Sequence, residues 1–341
     1  MYTVRLDNVG TLIASVPPLL RVRPTNSLVI VSVVRSGGRR RIGSTARLDL
    51  VDLATIPVSS LARPIVRALA DPDAIALTGI VVGDGSTPDG PLPYGAELDA
   101  LTAVLRDGGL PDLELVFVPS ITAKATWTSY ADPTQGGVLP DPGSTELAAI
   151  TTVLGEVTYD TLEEVAQRFQ PGPQDRRDRI AALVRPVERQ VAREEQDGDL
   201  AALGVRLRQL DHAVHRACEH QFPRDDKEIA DLIAAVTSKT LRDCAMVVPE
   251  ASEQAAEELW TQLFRLAPPE AGGHLATMVA FSAYRRGNGL LARRALEAAG
   301  PTNRLAGYLR IAVAAGMPPQ RLPSLADAVR QLRDRLANAA G

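Results

Sequence analysis

Apolar positions follow two rhythms along this chain. Up to about residue 130 they come as short, nearly unbroken runs separated by helical stretches. Ser27 to Arg35 is rich in Val and Ile and almost wholly apolar, which predicts a strand buried on both faces. Ser36-Gly37-Gly38 is a turn signal, and Arg41 to Leu50 reads as a second strand, so the two make a hairpin. Ala74 to Val82 and Leu113 to Val118 predict further buried strands, with another over Ala125 to Tyr130. Between them Val58 to Ala70 and Tyr94 to Arg106 read as helices, the second ended by Gly108-Gly109. Thr11 to Leu20 predicts a short helix broken near Pro17-Pro18. The order strand, helix, strand, helix, strand implies right-handed crossovers and a mixed sheet covered by helices.

Beyond Ser144 the strand rhythm gives way to helical spacing. Helices are expected over Arg176–Gln196, Leu200–His220, Asp226–Ala235, Ser252–Leu266, Gly273–Arg285, Leu290–Ala299, Leu305–Ala315 and Leu325–Ala339. Gln170-Pro171-Gly172-Pro173 is the best linker signal, dividing an α/β domain with a mixed sheet (1–170) from an all-helical domain (171–341). Short Gly- or Pro-bearing joints favour antiparallel neighbours, hence stacked helical hairpins. Leu275 to Gly316 is the sharpest of these. Small residues at Ala283, Ala292, Ala295 and Ala306 let helices approach, and Gly287-Asn288-Gly289 supplies the turn, as in a tetratricopeptide hairpin.

Composition narrows the function classes. At 341 residues the chain is long enough for two cores, and with 4% aromatics these must be built from Leu, Val, Ile and Ala. There are 13 basic against 19 acidic residues up to residue 170 and 24 against 22 after it. Neither half has the basic excess of a dedicated nucleic-acid binder. Arg39-Arg40-Arg41 at the hairpin tip reads as a solvated loop. Two cysteines, Cys218 and Cys244, make neither a disulfide framework nor a four-thiolate zinc site. The first residues do not form a signal peptide, and the run Leu28 to Val34 is too short to span a bilayer, so a cytoplasmic protein without a membrane partner is expected.

Several short motifs, in order, carry a family resemblance: Leu12-Ile13-Ala14, Val16-Pro17, Leu19-Leu20, Arg23-Pro24-Thr25-Asn26-Ser27-Leu28-Val29, Arg47-Leu48-Asp49-Leu50, Trp127-Thr128-Ser129-Tyr130, Leu139-Pro140-Asp141-Pro142, Leu241-Arg242-Asp243, Gly287-Asn288-Gly289 and Gly316-Met317-Pro318-Pro319. Over most of its length the chain resembles an actinobacterial family described only as domain of unknown function 4192. The resemblance implies a fold and a lineage, not an activity. Many relatives carry a cysteine pair shortly after the Trp-x-Ser-Tyr motif. Here Ala131 to Gly137 has none, so no thiol-based metal or redox role is expected there.

Four groups of residues merit a chemical reading. His212, His215 and Glu219 would share one helix face and could hold a divalent metal, but Arg208 and Arg216 lie nearby and a solvated face accounts for them better. Gly83-Asp84-Gly85-Ser86 follows a buried strand, where α/β sheets bind ligands. It lacks the Lys-Ser/Thr of a phosphate loop and the third glycine of a dinucleotide site, so no cofactor is expected. Trp127 and Ser129 fall on one sheet face and Tyr130 on the other, a candidate pocket wall with Arg47 and Asp49, which share a face of their own strand. Arg242-Asp243 reads as a capping or interdomain pair. Gly-x-Ser-x-Gly is absent and no histidine lies in the first half, so nothing announces a serine hydrolase. The expected function is therefore non-enzymatic interaction, with the helical half engaging a protein partner. The alternative is a small-molecule binder or enzyme at the sheet edge.

Overall fold

The structure is a computed structural model and describes residues 8–84, 91–301, 303–315, 317, 319 and 323–339. It divides into two compact units, one of Met1–Leu162 with Ala314–Gly316 and one of Glu163–Val313 with Met317–Gly341. The chain is α+β: a six-stranded mixed sheet lies in the first unit, and helices follow.

The sheet runs in the order β2-β1-β3-β4-β5-β6. Strands β1 (Ser27–Ser36) and β2 (Arg39–Asp49) form the expected hairpin. Gly37 and Gly38 both have positive φ, 58° and 77°, the pairing that lets a two-residue turn match the strands' twist. Strand β3 (Ala74–Val82) joins β1 antiparallel, and β4 (Leu113–Val118) joins β3 parallel. Strands β5 (Thr126–Ser129) and β6 (Gly136–Val138) finish the sheet antiparallel. The connections β2 to β3 and β3 to β4 travel the same way across the sheet. Crossovers of one hand that travel one way put their helices on one face. Accordingly α3 (Leu50–Thr55), α4 (Val58–Leu69) and α5 (Gly95–Asp107) share a core with Leu28, Leu77, Val81 and Phe117. The opposite face holds Val29, Val31, Ile80, Val82, Val116 and Val118, covered by α1 (Val9–Ala14) and α2 (Val16–Leu20). Prolines 17 and 18 stand in the first turn of α2, where a missing N–H costs nothing, so the chain breaks at Ser15 rather than at the prolines. A 3-10 turn at Pro142–Ser144 and helix α6 (Glu146–Val153) complete this unit.

The second unit runs from α7 (Leu162–Gln167) through α8 (Gln174–Gln196), α9 (Leu200–Cys218), α10 (Asp226–Ala235), α11 (Lys239–Ala245), α12 (Glu253–Leu266), α13 (Pro269–Arg285), α14 (Gly289–Ala298), α15 (Arg304–Ala314) and α16 (Pro323–Ala339). One core of aliphatic residues joins α8 to α16, with Trp260 fully buried in it. Side-chain caps explain where several helices start: Asp199, Asp225, Ser238 and Asn288 each accept a backbone N–H from the first turn of α9, α10, α11 and α14. The Gln170–Pro173 segment is tied to the end of α12: Gly172 N donates to the Arg265 carbonyl and Arg265 Nε to the Gln170 carbonyl, 2.7 and 3.1 Å.

Candidate functional site

Trp127, Ser129 and Tyr130 have partners that account for each of them. Register pairs Ser129 with Val116 and Thr128 with Phe117, so Trp127 and Ser129 face α1 and α2 while Tyr130 faces α5. Trp127 is half-buried against α1; a methyl at Gly10 would stand 3.4 Å from its Nε1. Ser129 Oγ accepts N–H bonds from Ala131 and Asp132, 3.2 and 3.4 Å, and so closes the turn after β5. The Tyr130 hydroxyl donates to the Pro93 carbonyl at 2.8 Å, just ahead of α5. Burial, with a smaller contribution from Tyr94, pushes its phenol well above the usual tyrosine range.

Arg47 and Asp49 pair with each other at 2.5 Å on β2. Register with Val29 and Ser27 puts them on the same sheet face as Trp127. Strands β1, β3 and β4 lie between β2 and β5. Four strand spacings of ~4.8 Å separate the two groups by roughly 19 Å, so they do not close one pocket. The glycine-rich loop after β3 falls largely outside the described residues, since 85–90 are not among them. Arg39, Arg40 and Arg41 are exposed, as expected, but they are the first three residues of strand β2, paired with Ser36, Arg35 and Val34 of β1, and not a loop.

His212 and His215 are exposed on α9. That helix ends at Cys218, and Glu219 is its exposed C-cap. Arg216, next to His215, pairs with Glu228. Among the described residues no group of three His, Cys, Asp or Glu side chains is placed to hold a metal ion.

Arg242 and Asp243 sit elsewhere than a helix cap. Both lie on α11 at the floor of a cleft of about 680 Å³ inside the second unit. The start of α13 contributes Glu270, Gly273 and His274; the end of α14 and start of α15 contribute Ala298, Ala299, Asn303, Arg304, Leu305 and Tyr308. Close approach makes the floor possible, because a Cβ at Gly273 would stand 3.0 Å from the Ala299 carbonyl. Asn303 closes that corner, donating to the Gly273 carbonyl at 3.1 Å and accepting from Ala306 N at 3.2 Å.

The Arg242 side chain is 8% exposed. Its Nε and Nη2 donate to one oxygen of Asp243, at 2.9 and 2.6 Å, and its Nη1 stands 2.9 Å from His274 Nδ1. A guanidinium keeps its protons and has no acceptor, so Nδ1 must accept and the imidazole proton resides on Nε2. Burial, then the Arg242 charge, lowers the His274 pKa below the ordinary histidine value; Asp243 opposes and Lys239 adds to the shift. The imidazole is therefore a neutral donor at neutral pH.

His274 carries no local sequence signal. It lies between Gly273 and Leu275 on a helix of small residues, and only the fold carries it 32 positions back to Arg242. The one foretaste was Arg242-Asp243, whose adjacent opposite charges are visible in the chain.

The fold defines an α+β protein whose mixed sheet is followed by a helical unit with a polar cleft of its own. The chain belongs to the family described as domain of unknown function (DUF4192), which it matches over residues 10–320. No curated protein and no solved structure matches it. Among the described residues no helix is long and apolar enough to cross a membrane.

Proposed function

We propose that this is a non-enzymatic interaction protein whose helical half binds a protein partner at the cleft between α11, α13 and α15. One observation carries the reading: an open cleft of about 680 Å³ lined by the buried Arg242, its half-buried partner His274 and the exposed Tyr308. Aromatic and arginine side chains at a concave site are the usual anchors of protein recognition. Ile311, one turn beyond Tyr308, is 68% exposed and extends the apolar rim. The reading takes α13 and α14 as a tetratricopeptide-like hairpin. It is supported by the Gly287 turn at φ 75°, the Asn288 cap, and buried Ala276, Ala280, Ala283, Ala292 and Ala295 along the packed faces. A cytoplasmic location is part of the proposal, in keeping with two unpaired cysteines.

The test uses the full chain with a photo-crosslinking residue in place of Tyr308 and, as a control, in place of His212. In cells of the source organism, a discrete adduct from position 308 but not from 212 is expected. Equal adducts from both positions, or none from 308, would overturn the reading.

A further inference from the structure

The charges in the cleft say more than that something binds. Lys239, Arg242 and Arg304 bring three cations, and Asp243 and Glu270 two carboxylates. His274 is neutral because its Nδ1 accepts from Arg242. The lining therefore carries one uncompensated positive charge. Of the five N–H groups of Arg242, two are engaged by Asp243 and one by His274, which leaves two. Those two and the His274 Nε2–H have no acceptor among the described residues, and the Arg242 side chain that carries two of them is 8% exposed. The N-terminus of α15, eleven residues long, opens on the same cleft and adds its partial positive charge.

We propose that the cleft takes a single carboxylate presented by an acidic peptide segment of the partner, seated on the spare Arg242 N–H groups and His274 Nε2–H, with Lys239 and Arg304 at the rim. This rests on the reading of the cleft as the partner site. The charge balance chooses a monoanion. A doubly charged phosphate would exceed the one spare positive charge and would face Asp243 and Glu270 at close range. Leu305, Ala298 and Tyr308 line the wall beside the donors and suit the peptide's apolar stems.

The experiment is a titration of the full-length protein at fixed ionic strength, read by NMR at the four histidine imidazoles, with His274 assigned by His274→Asn. Three probes are compared: an acetylated tri-glutamate peptide, the all-glutamine peptide with an amidated end, and inorganic phosphate. The acidic peptide is expected to shift the His274 signals saturably and leave those of His212, His215 and His220 unmoved. Affinity should fall about tenfold in the surface double variant Lys239→Ala/Arg304→Ala, whose fold is not at risk. Equal response to the glutamine peptide, a stronger response to phosphate, or no response of His274 would each overturn the carboxylate assignment. A crosslink at Tyr308 that persists in any of those cases would leave the partner site standing and remove only its chemistry.

Discussion

Arg242 is held between two partners that depend on its shape as well as its charge. Its fork reaches Asp243 by two N–H bonds and His274 by a third, which a lysine ammonium cannot reproduce in one plane. Arg242→Lys is expected to lower stability by about 1–3 kcal/mol, read from urea midpoints at unchanged m-value. His274 has its own signature. Its folded pKa is lowered, so between the unfolded value near 6.5 and the folded one the unfolded chain binds more protons. Stability should therefore fall as pH drops through and below about 6.5. His274→Asn keeps an acceptor for Arg242 and does not titrate. The variant should lose less stability than the wild type between neutral and mildly acidic pH, and parallel pH profiles of the two would refute the assignment. The two thiols should also separate. Cys218 is exposed, whereas burial pushes the Cys244 thiol up to about 11. A maleimide reagent at neutral pH should label Cys218 in the native state and Cys244 only after unfolding. Of these residues Arg242, Asp243 and the cysteines could be singled out in the sequence. His274 could not, because its meaning is a 2.9 Å contact across 32 residues.

At the scale of elements, β6 shows why a periodicity can hide a strand. Gly136 and Gly137 have low strand propensity and no side chains to alternate, so nothing in the pattern marks them. The structure needs them bare. A Cβ at Gly136 would stand 2.5 Å from the Trp127 carbonyl oxygen, and one at Gly137 2.9 Å from its Nε1. Gly136→Ala is expected to detach β6 and red-shift the Trp127 emission, whereas an unchanged spectrum and melting temperature would show that the edge yields. Helix α11 is legible only in that Arg242-Asp243 stand near the end of an apolar helical stretch; its seven residues are too few to establish a period and fix its bounds. The α12–α13 pair rests on charge as well as on apolar packing. Arg285 pairs with Glu253 and Arg286 with Glu257, and both glutamates are nearly buried. Arg285→Ala strands Glu253 and should cost about 3 kcal/mol of stability. The arginines follow directly on Ala283-Tyr284, so the sequence shows the helix end. It does not show that the end is clamped to glutamates near the start of α12.

For the whole molecule, each unit has its own core and each holds one of the two tryptophans, Trp127 in the first and Trp260 in the second. Trp260→Phe and Trp127→Phe leave single reporters. Two non-coincident denaturation curves are expected, and superimposable curves would mean that the chain unfolds as one cooperative body. The sequence by itself determined the change from strands to helices near Ser144, the β1–β2 hairpin, and the bounds of β3 and β4 to the residue. Those follow from local rhythm and turn chemistry, which neighbouring residues carry without help. Tertiary structure alone decided three things. It set Arg47 and Trp127 on one face but with three strands between them, because strand order depends on crossovers that span the sheet. It paired Arg216, next to His215 on α9, with Glu228 on α10. And it brought Arg242, His274 and Arg304 from three helices to a single cleft, an arrangement set by packing between segments that no local pattern encodes.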